Sequence, residues 1–139
     1  MKYKVISIIF FLFGITSCSK YNCSNNYISN YLLDYSIEKE YDYCNLFNSA
    51  KEGNEQHIKK FFLLPFYDGL AYEHGAVLLE LIDVLGEKKI IESLKSINEK
   101  EKKLIQGYLM VGLDFTQNPK FKGKKLNVNY PSVHNFLLD

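Results

Sequence analysis

Apolar residues return every three or four positions along most of this chain, and that period leaves little room for a sheet. In the segment 70–85 they stand at Ala71, Val77, Leu78, Leu81, Ile82 and Leu85, a stripe too wide for a strand and broad enough to be covered from more than one side. The helix predicted there belongs at the centre of the fold. Asp68 is placed to cap its start and Gly86 to stop it. The same period predicts a first short helix from about residue 26, carrying Tyr27, Ile28, Tyr31, Leu32 and Tyr35. A second, over 40–52, carries Tyr43, Leu46, Phe47 and Ala50 and is stopped by Gly53. Asn54 then caps a third with Ile58, Phe61, Phe62 and Leu64, ended by Pro65. Beyond Gly86 lies a fifth over 87–97 (Ile90, Ile91, Leu94, Ile97). Asn98 and Glu101 form a capping box for a sixth over 99–114 (Leu104, Ile105, Tyr108, Leu109, Val111).

After Phe115 the pattern weakens. Asn118, Pro119 and Gly123 mark loops, Leu126, Val128 and Tyr130 alternate like a short strand, and 132–138 reads as a last helix pinned by Val133, Phe136 and Leu137. The expected fold is therefore all-α: a small bundle of about five to six antiparallel helices built from helical hairpins, with an irregular C-terminal tail. The run from Ala50 to Asn54, followed by Ile58 and Phe61, resembles the start of the second helix of an ankyrin repeat. A shift of 33 residues, the ankyrin period, brings it to Gly86, Ile91 and Leu94. Ala71-Tyr72-Glu73 replaces that family's Thr-Pro-Leu, the preceding helix is about six residues too long, and no third copy follows. Generic hairpin packing accounts for the pattern better.

Of the 139 residues, 47% are apolar, 15% aromatic and 24% charged, the balance of a folded domain rather than a disordered chain. The net charge of +1 argues against a nucleic-acid partner. Every basic residue is a lysine, so two-pronged guanidinium recognition of phosphate or carboxylate is closed to this chain.

The leader is of a different character. Two lysines in residues 1–4 precede the apolar run 5–15, then Thr16, Ser17 and Cys18. About 11 apolar residues fall short of the roughly 20 needed to span a bilayer and suit the core of a signal peptide. The tetrapeptide Ile15-Thr16-Ser17-Cys18 resembles the bacterial lipobox. The resemblance implies a signal peptide over 1–17, cleavage before Cys18, and acyl chains on the Cys18 sulfur and nitrogen. The expected organisation is a signal peptide, a lipidated N-terminus and tether over 18–30, and a single helical domain over 31–139. The product would run from Cys18 to Asp139 at a net side-chain charge of −1. Ser19, in the place where an Asp retains such lipoproteins at the inner membrane, implies the outer membrane, facing the periplasm.

Lipidation would leave Cys23 and Cys44. An oxidising compartment permits them to pair, closing a loop of about 20 residues worth roughly 3 kcal/mol. The alternative is two separate thiols, with Cys44 buried on a helix as a small hydrophobe.

Candidate chemistry concentrates at Asp68, Tyr72, Glu73 and His74. An aspartate, a glutamate and a histidine can serve as acid and base or ligate a metal together, but adjacent positions on a helix diverge by about 100°, and an N-cap at Asp68 with a half-buried His74 explains the same residues. His57 and His134 have no partner at ligand spacing, and no motif implies a metal or cofactor. Lys120, Lys122, Lys124 and Lys125 form a basic run without an acid, which can touch an anionic surface at about 1 kcal/mol per charge or remain a solvated loop. Of the eleven tyrosines, Tyr21, Tyr27, Tyr31 and Tyr35 are the candidates for an exposed protein- or sugar-binding surface; the alternative, which the helical spacing favours, is that they cover the core face of the first helix.

The leading expectation is a membrane-anchored periplasmic lipoprotein that binds a protein partner, in one version an immunity protein by analogy. The alternatives are an envelope hydrolase or metal-dependent enzyme using Asp68, Glu73 and His74, and a structural envelope component that binds peptidoglycan or lipopolysaccharide. Replacing Cys18 with Ser is expected to abolish palmitate labelling and partition into detergent; normal labelling of the Cys18→Ser protein would refute the lipid anchor.

Overall fold

Helix boundaries are set by side-chain caps and left-handed glycines. In the computed structural model, which describes Cys23 and residues 27–139, Ser29 Oγ accepts from the Leu32 amide to start α1 (Asn30–Glu38). Asp42 does the same for α2 (Tyr43–Lys51) and Asn54 for α3 (Glu55–Phe62). Gly53 and Gly86 adopt φ values of 89° and 82°, a region open to glycine at no steric cost. Gly86 separates α4 (Asp68–Leu85) from α5 (Glu87–Leu94). The box between Asn98 and Glu101 opens α6 (Glu99–Phe115) with both reciprocal bonds in place. A 3-10 turn (Pro119–Phe121) and two short helices, α7 (Leu126–Asn129) and α8 (Pro131–Leu138), complete the chain.

The described residues are all-helical, with no strand among them, and none of their helices is long and apolar enough to cross a membrane. The leader, Cys18 and the tether up to Asn26, apart from Cys23, lie outside the described residues, as does Tyr21.

The bundle is organised around α4 and α6, which make the most extensive helix contact. Their backbones touch: a Cβ built on Gly75 would stand 2.0 Å from the Tyr108 carbonyl oxygen, and one on Gly112 would stand 2.4 Å from the Gly75 carbonyl carbon. Around this crossing Val77, Leu78, Leu81 and Ile82 of α4 are buried together with Ile105, Leu109 and Leu113 of α6. The α2–α3 pair adds Phe47, Ile58, Phe61 and Phe62, all fully buried, and α5 adds Ile90 and Leu94. Tyr108 then ties the α3–α4 connection to α6. Its hydroxyl accepts from the Phe66 amide at 2.8 Å and donates to the Leu64 carbonyl at 2.9 Å.

Several expectations are corrected. Leu126, Val128 and Tyr130 lie not in a strand but in and beside α7: Leu126 and Tyr130, four residues apart, are both buried, and Val128 between them faces solvent. The apparent alternation was half of a helical period. The described residues form eight helices, six of them the expected bundle and the last two short ones in the C-terminal tail. Asp68 does not cap α4. Tyr67 holds the cap position with extended backbone and no side-chain bond, while Asp68 is the first helical residue at φ 50°. The second helix starts at Tyr43, not residue 40, because Glu40 turns the chain at φ 60° and Asp42 supplies the cap. The first starts at Asn30 and buries Leu32, Leu33 and Ser36 rather than a tyrosine face.

Two further links hold the ends. Cys23 and Cys44 are joined by a disulfide, Cα atoms 4.8 Å apart, which fixes the segment before α1 to α2. At the other end, Tyr130 donates to Asp83 at 2.8 Å and the Val133 amide donates to Glu87 at 2.7 Å, so carboxylates flanking the α4–α5 junction secure α7 and α8.

Gly75→Ala is expected to destabilise the fold by about 3 kcal/mol or more, since the methyl group meets backbone rather than a movable side chain. Chemical denaturation measures it. Gly107→Ala in α6, where an added Cβ meets nothing within 4 Å, should stabilise slightly through helix propensity; equal effects at the two positions would contradict the close crossing.

Candidate functional site

The residues singled out in the sequence separate in space. His74 is completely buried, its Nδ1 2.9 Å from the Tyr43 hydroxyl. Its ring is boxed by Tyr43, Phe61, Phe66 and Tyr108, with centroids 4.7 to 5.7 Å away. Burial pushes its pKa down to about 3, opposed only in part by the backbone of Phe61, and Nε2 makes no hydrogen bond of normal geometry. The same burial, reinforced by the charges of Glu73 and Glu80, pushes the Tyr43 phenol well up. At neutral pH the pair is an uncharged hydrogen bond inside an aromatic core.

Glu73 faces elsewhere. One of its oxygens accepts from the Ser29 amide and the other from Ser29 Oγ at 2.8 Å. Because Ser29 also caps α1, Glu73 clips the start of that helix to α4. Asp68 is exposed at the opposite side of Gly69. The three do not converge on one cleft, and no group of three or more metal-ligating side chains occurs among the described residues.

The basic run is partly neutralised from a distance in sequence: Lys120 and Lys124 stand 3.0 and 3.8 Å from Asp83, and Lys122 and Lys125 are exposed. Lys124 and Lys125 also border an open cavity of about 340 Å³ with Gln106, Asp114 and His134. His57 pairs with Ser49.

What does come together is a set of aromatic side chains at the edge formed by α1 and the start of α4. Two hollows meet at Gly69. One, of about 300 Å³, is bordered by Tyr27, Ser29, Tyr72, Glu73 and Phe115; the other, of about 230 Å³, by Tyr31, Tyr35, Tyr67 and Asp68. Tyr31 and Tyr67 are 72% and 68% exposed, and Tyr27, Tyr72 and Phe115 are exposed as well. Tyr72 and Phe115 stack at 4.6 Å with planes 18° apart, holding each other outward on α4 and α6. The two hollows share Gly69, so the exposed rings lie along one edge of the bundle. Tyrosine contributes a large apolar area with a polar tip, at little conformational cost.

Tyr35 is half-buried, its ring 6.0 Å from that of Phe66, while Tyr27 and Tyr31 were legible as exposed rings. Tyr67 and Phe115 were not, since one hides in a turn and the other ends an amphipathic helix. Their only sequence signal is a large aromatic residue at a helix terminus, outside the buried stripe.

The His74 shift makes a signed prediction. The folded pKa lies below the unfolded value of about 6.5, so as pH falls the unfolded chain binds a proton that the folded one refuses. Stability is complete above about pH 6.5 and is lost toward pH 3 at about 1.4 kcal/mol per pH unit. Between pH 7 and 4.5 the protein should lose about 2–3 kcal/mol more than His74→Gln does over the same interval, measured by denaturant unfolding; parallel pH profiles would refute a neutral buried His74.

The sequence matches no family model, no curated protein and no solved structure.

Proposed function

We propose that this chain is a lipid-anchored lipoprotein of the cell envelope, facing the periplasm, that works by binding another protein through the aromatic strip at the α1–α4 edge. The strip carries the reading: its two hollows adjoin, and the exposed rings are the type of side chain that dominates protein interfaces. The lipobox-like tetrapeptide before Cys18 supports the anchor. An immunity-type task, holding a toxic partner at the membrane, fits a small helical protein with a binding face and dispersed polar groups.

Tether length supports the same reading. Cys18 stands five positions before the disulfide-bonded Cys23, a separation of at most about 18 Å even for fully extended chain. A lipid on Cys18 would thus hold α2, and the α1 edge beside it, close to the membrane surface. A partner arriving there would meet the aromatic strip at short range.

The test is recovery of a partner from envelopes solubilised in non-ionic detergent. The wild-type chain is expected to retain a protein at one-to-one stoichiometry. Combined Tyr31→Ala and Tyr67→Ala substitutions, both at exposed positions, should weaken retention by about 30-fold or more, as for loss of aromatic hot spots worth about 2 kcal/mol. Retention unchanged in the double variant, or no partner from repeated preparations, would overturn the reading.

A further inference from the structure

The smaller hollow has walls of one chemical kind. Tyr31 and Tyr35, four residues apart and so neighbours on α1, and Tyr67 from the α3–α4 connection surround it, with Asp68, Gly69 and Leu70 completing the lining. An aromatic ring presents a negative face, and Asp68 adds a carboxylate to the three rings that border the hollow.

Asp68 is the acidic residue of the lining, and no lysine is among the residues that border the hollow. One ring of the set already accepts a cation from within the chain, since Lys39 Nζ lies 5.4 Å from the Tyr35 centroid. The positive end of α4 opposes a cation with about half a unit charge, and Asp68, at its first position, carries a full negative one. Asp68 is also held at φ 50°, a conformation sparsely used by residues other than glycine and concentrated where function requires it. Gly69 leaves the floor open, because a Cβ there meets no atom within 4 Å.

We propose that this hollow receives an organic cation: the ammonium or guanidinium head of a lysine or arginine side chain that a basic protein partner presents. The assignment rests on the reading of this edge as a protein-binding face and names what the partner must carry. Aromatic side chains attract ammonium and guanidinium groups, and the adjacent carboxylate rejects an anionic ligand.

The probe is Nα-acetyl-lysine methylamide, titrated into the full-length protein in non-ionic detergent, with its Nε-acetylated counterpart as the uncharged control. Tyrosine ring resonances of the wild-type protein should shift saturably with the charged probe and not with the control. Tyr67→Leu and Asp68→Asn should each weaken the response about three- to tenfold, whereas Tyr67→Phe, which keeps the π face, should retain it. Circular dichroism reports whether each variant is folded. A wild-type titration without a saturable shift, equal shifts with both probes, or indifference to both Tyr67→Leu and Asp68→Asn would overturn the proposal. A silent titration with partner recovery intact removes the cation and spares the protein-binding reading. A normal titration with no partner recovered removes the protein as its source.

Discussion

The contact between the backbones of Gly75 and Gly112 is the constraint on which the rest of the molecule depends. Two helices carrying side chains at their crossing stand 8–10 Å apart; with hydrogen in place of Cβ they approach until carbonyl and Cα atoms touch. Glycine in a helix costs about 1 kcal/mol against alanine, and two are spent on this crossing. The return is that the flanking side chains, Leu78, Leu79 and Ile82 on one helix and Ile105, Leu109 and Leu113 on the other, can interlock without a gap. The approach also fixes heights along the helices. Tyr108, whose carbonyl oxygen lies against Gly75, is thereby placed with its ring beside His74 and its hydroxyl on the Leu64–Phe66 backbone.

A polar residue in that position must be neutral to be tolerated. His74, completely buried among four aromatic rings, keeps one hydrogen bond to Tyr43 and no charge, because an unpaired charge there would cost far more than the bond returns. The carboxylates are handled differently. Asp83, Glu87 and Glu73 each spend their acceptor capacity at the margin of the core, on Tyr130 and Lys120, on the amide of Val133, and on Ser29. Every one joins α4 or α5 to a terminal segment. The core is thus apolar at the centre, and charged contacts attach the two ends of the chain to it.

The long helices were readable because period and punctuation agree: Gly53, Gly86 and the Asn98–Glu101 box each act locally, within one turn of where they stand. The features that were not readable act across the fold. Gly75 and Gly112 look in sequence like helix-weakening residues, and only the approach of α4 to α6 gives them a purpose. The short segment 126–130 obeyed a period of two and of four equally well, and burial against α8 decided for the helix. His74 and Glu73 are neighbours in sequence, yet tertiary contacts send one to Tyr43 and the other to Ser29. The candidate surface was half visible. Tyr31 and Tyr35 share one helix face, but Tyr67 joins them only through the way Tyr108 holds the preceding turn.

That last relation bears on how such a surface would bind. Exposed tyrosines on mobile chain would lose conformational freedom on contact and give back much of what they gain. Here the two walls of the smaller hollow are clamped independently. The α1 wall is fixed by the Cys23–Cys44 bond on the segment that leads into it and by Glu73 on its cap residue. The Tyr67 wall follows directly on Phe66, whose amide is bound by Tyr108. Neither clamp uses a ring of the hollow, so Tyr31 and Tyr67 remain open to solvent while their backbones are held. Three unrelated links thus hold the edges of the recess, while Tyr31 and Tyr67 stay exposed on fixed backbone, so a contact there would cost little further ordering.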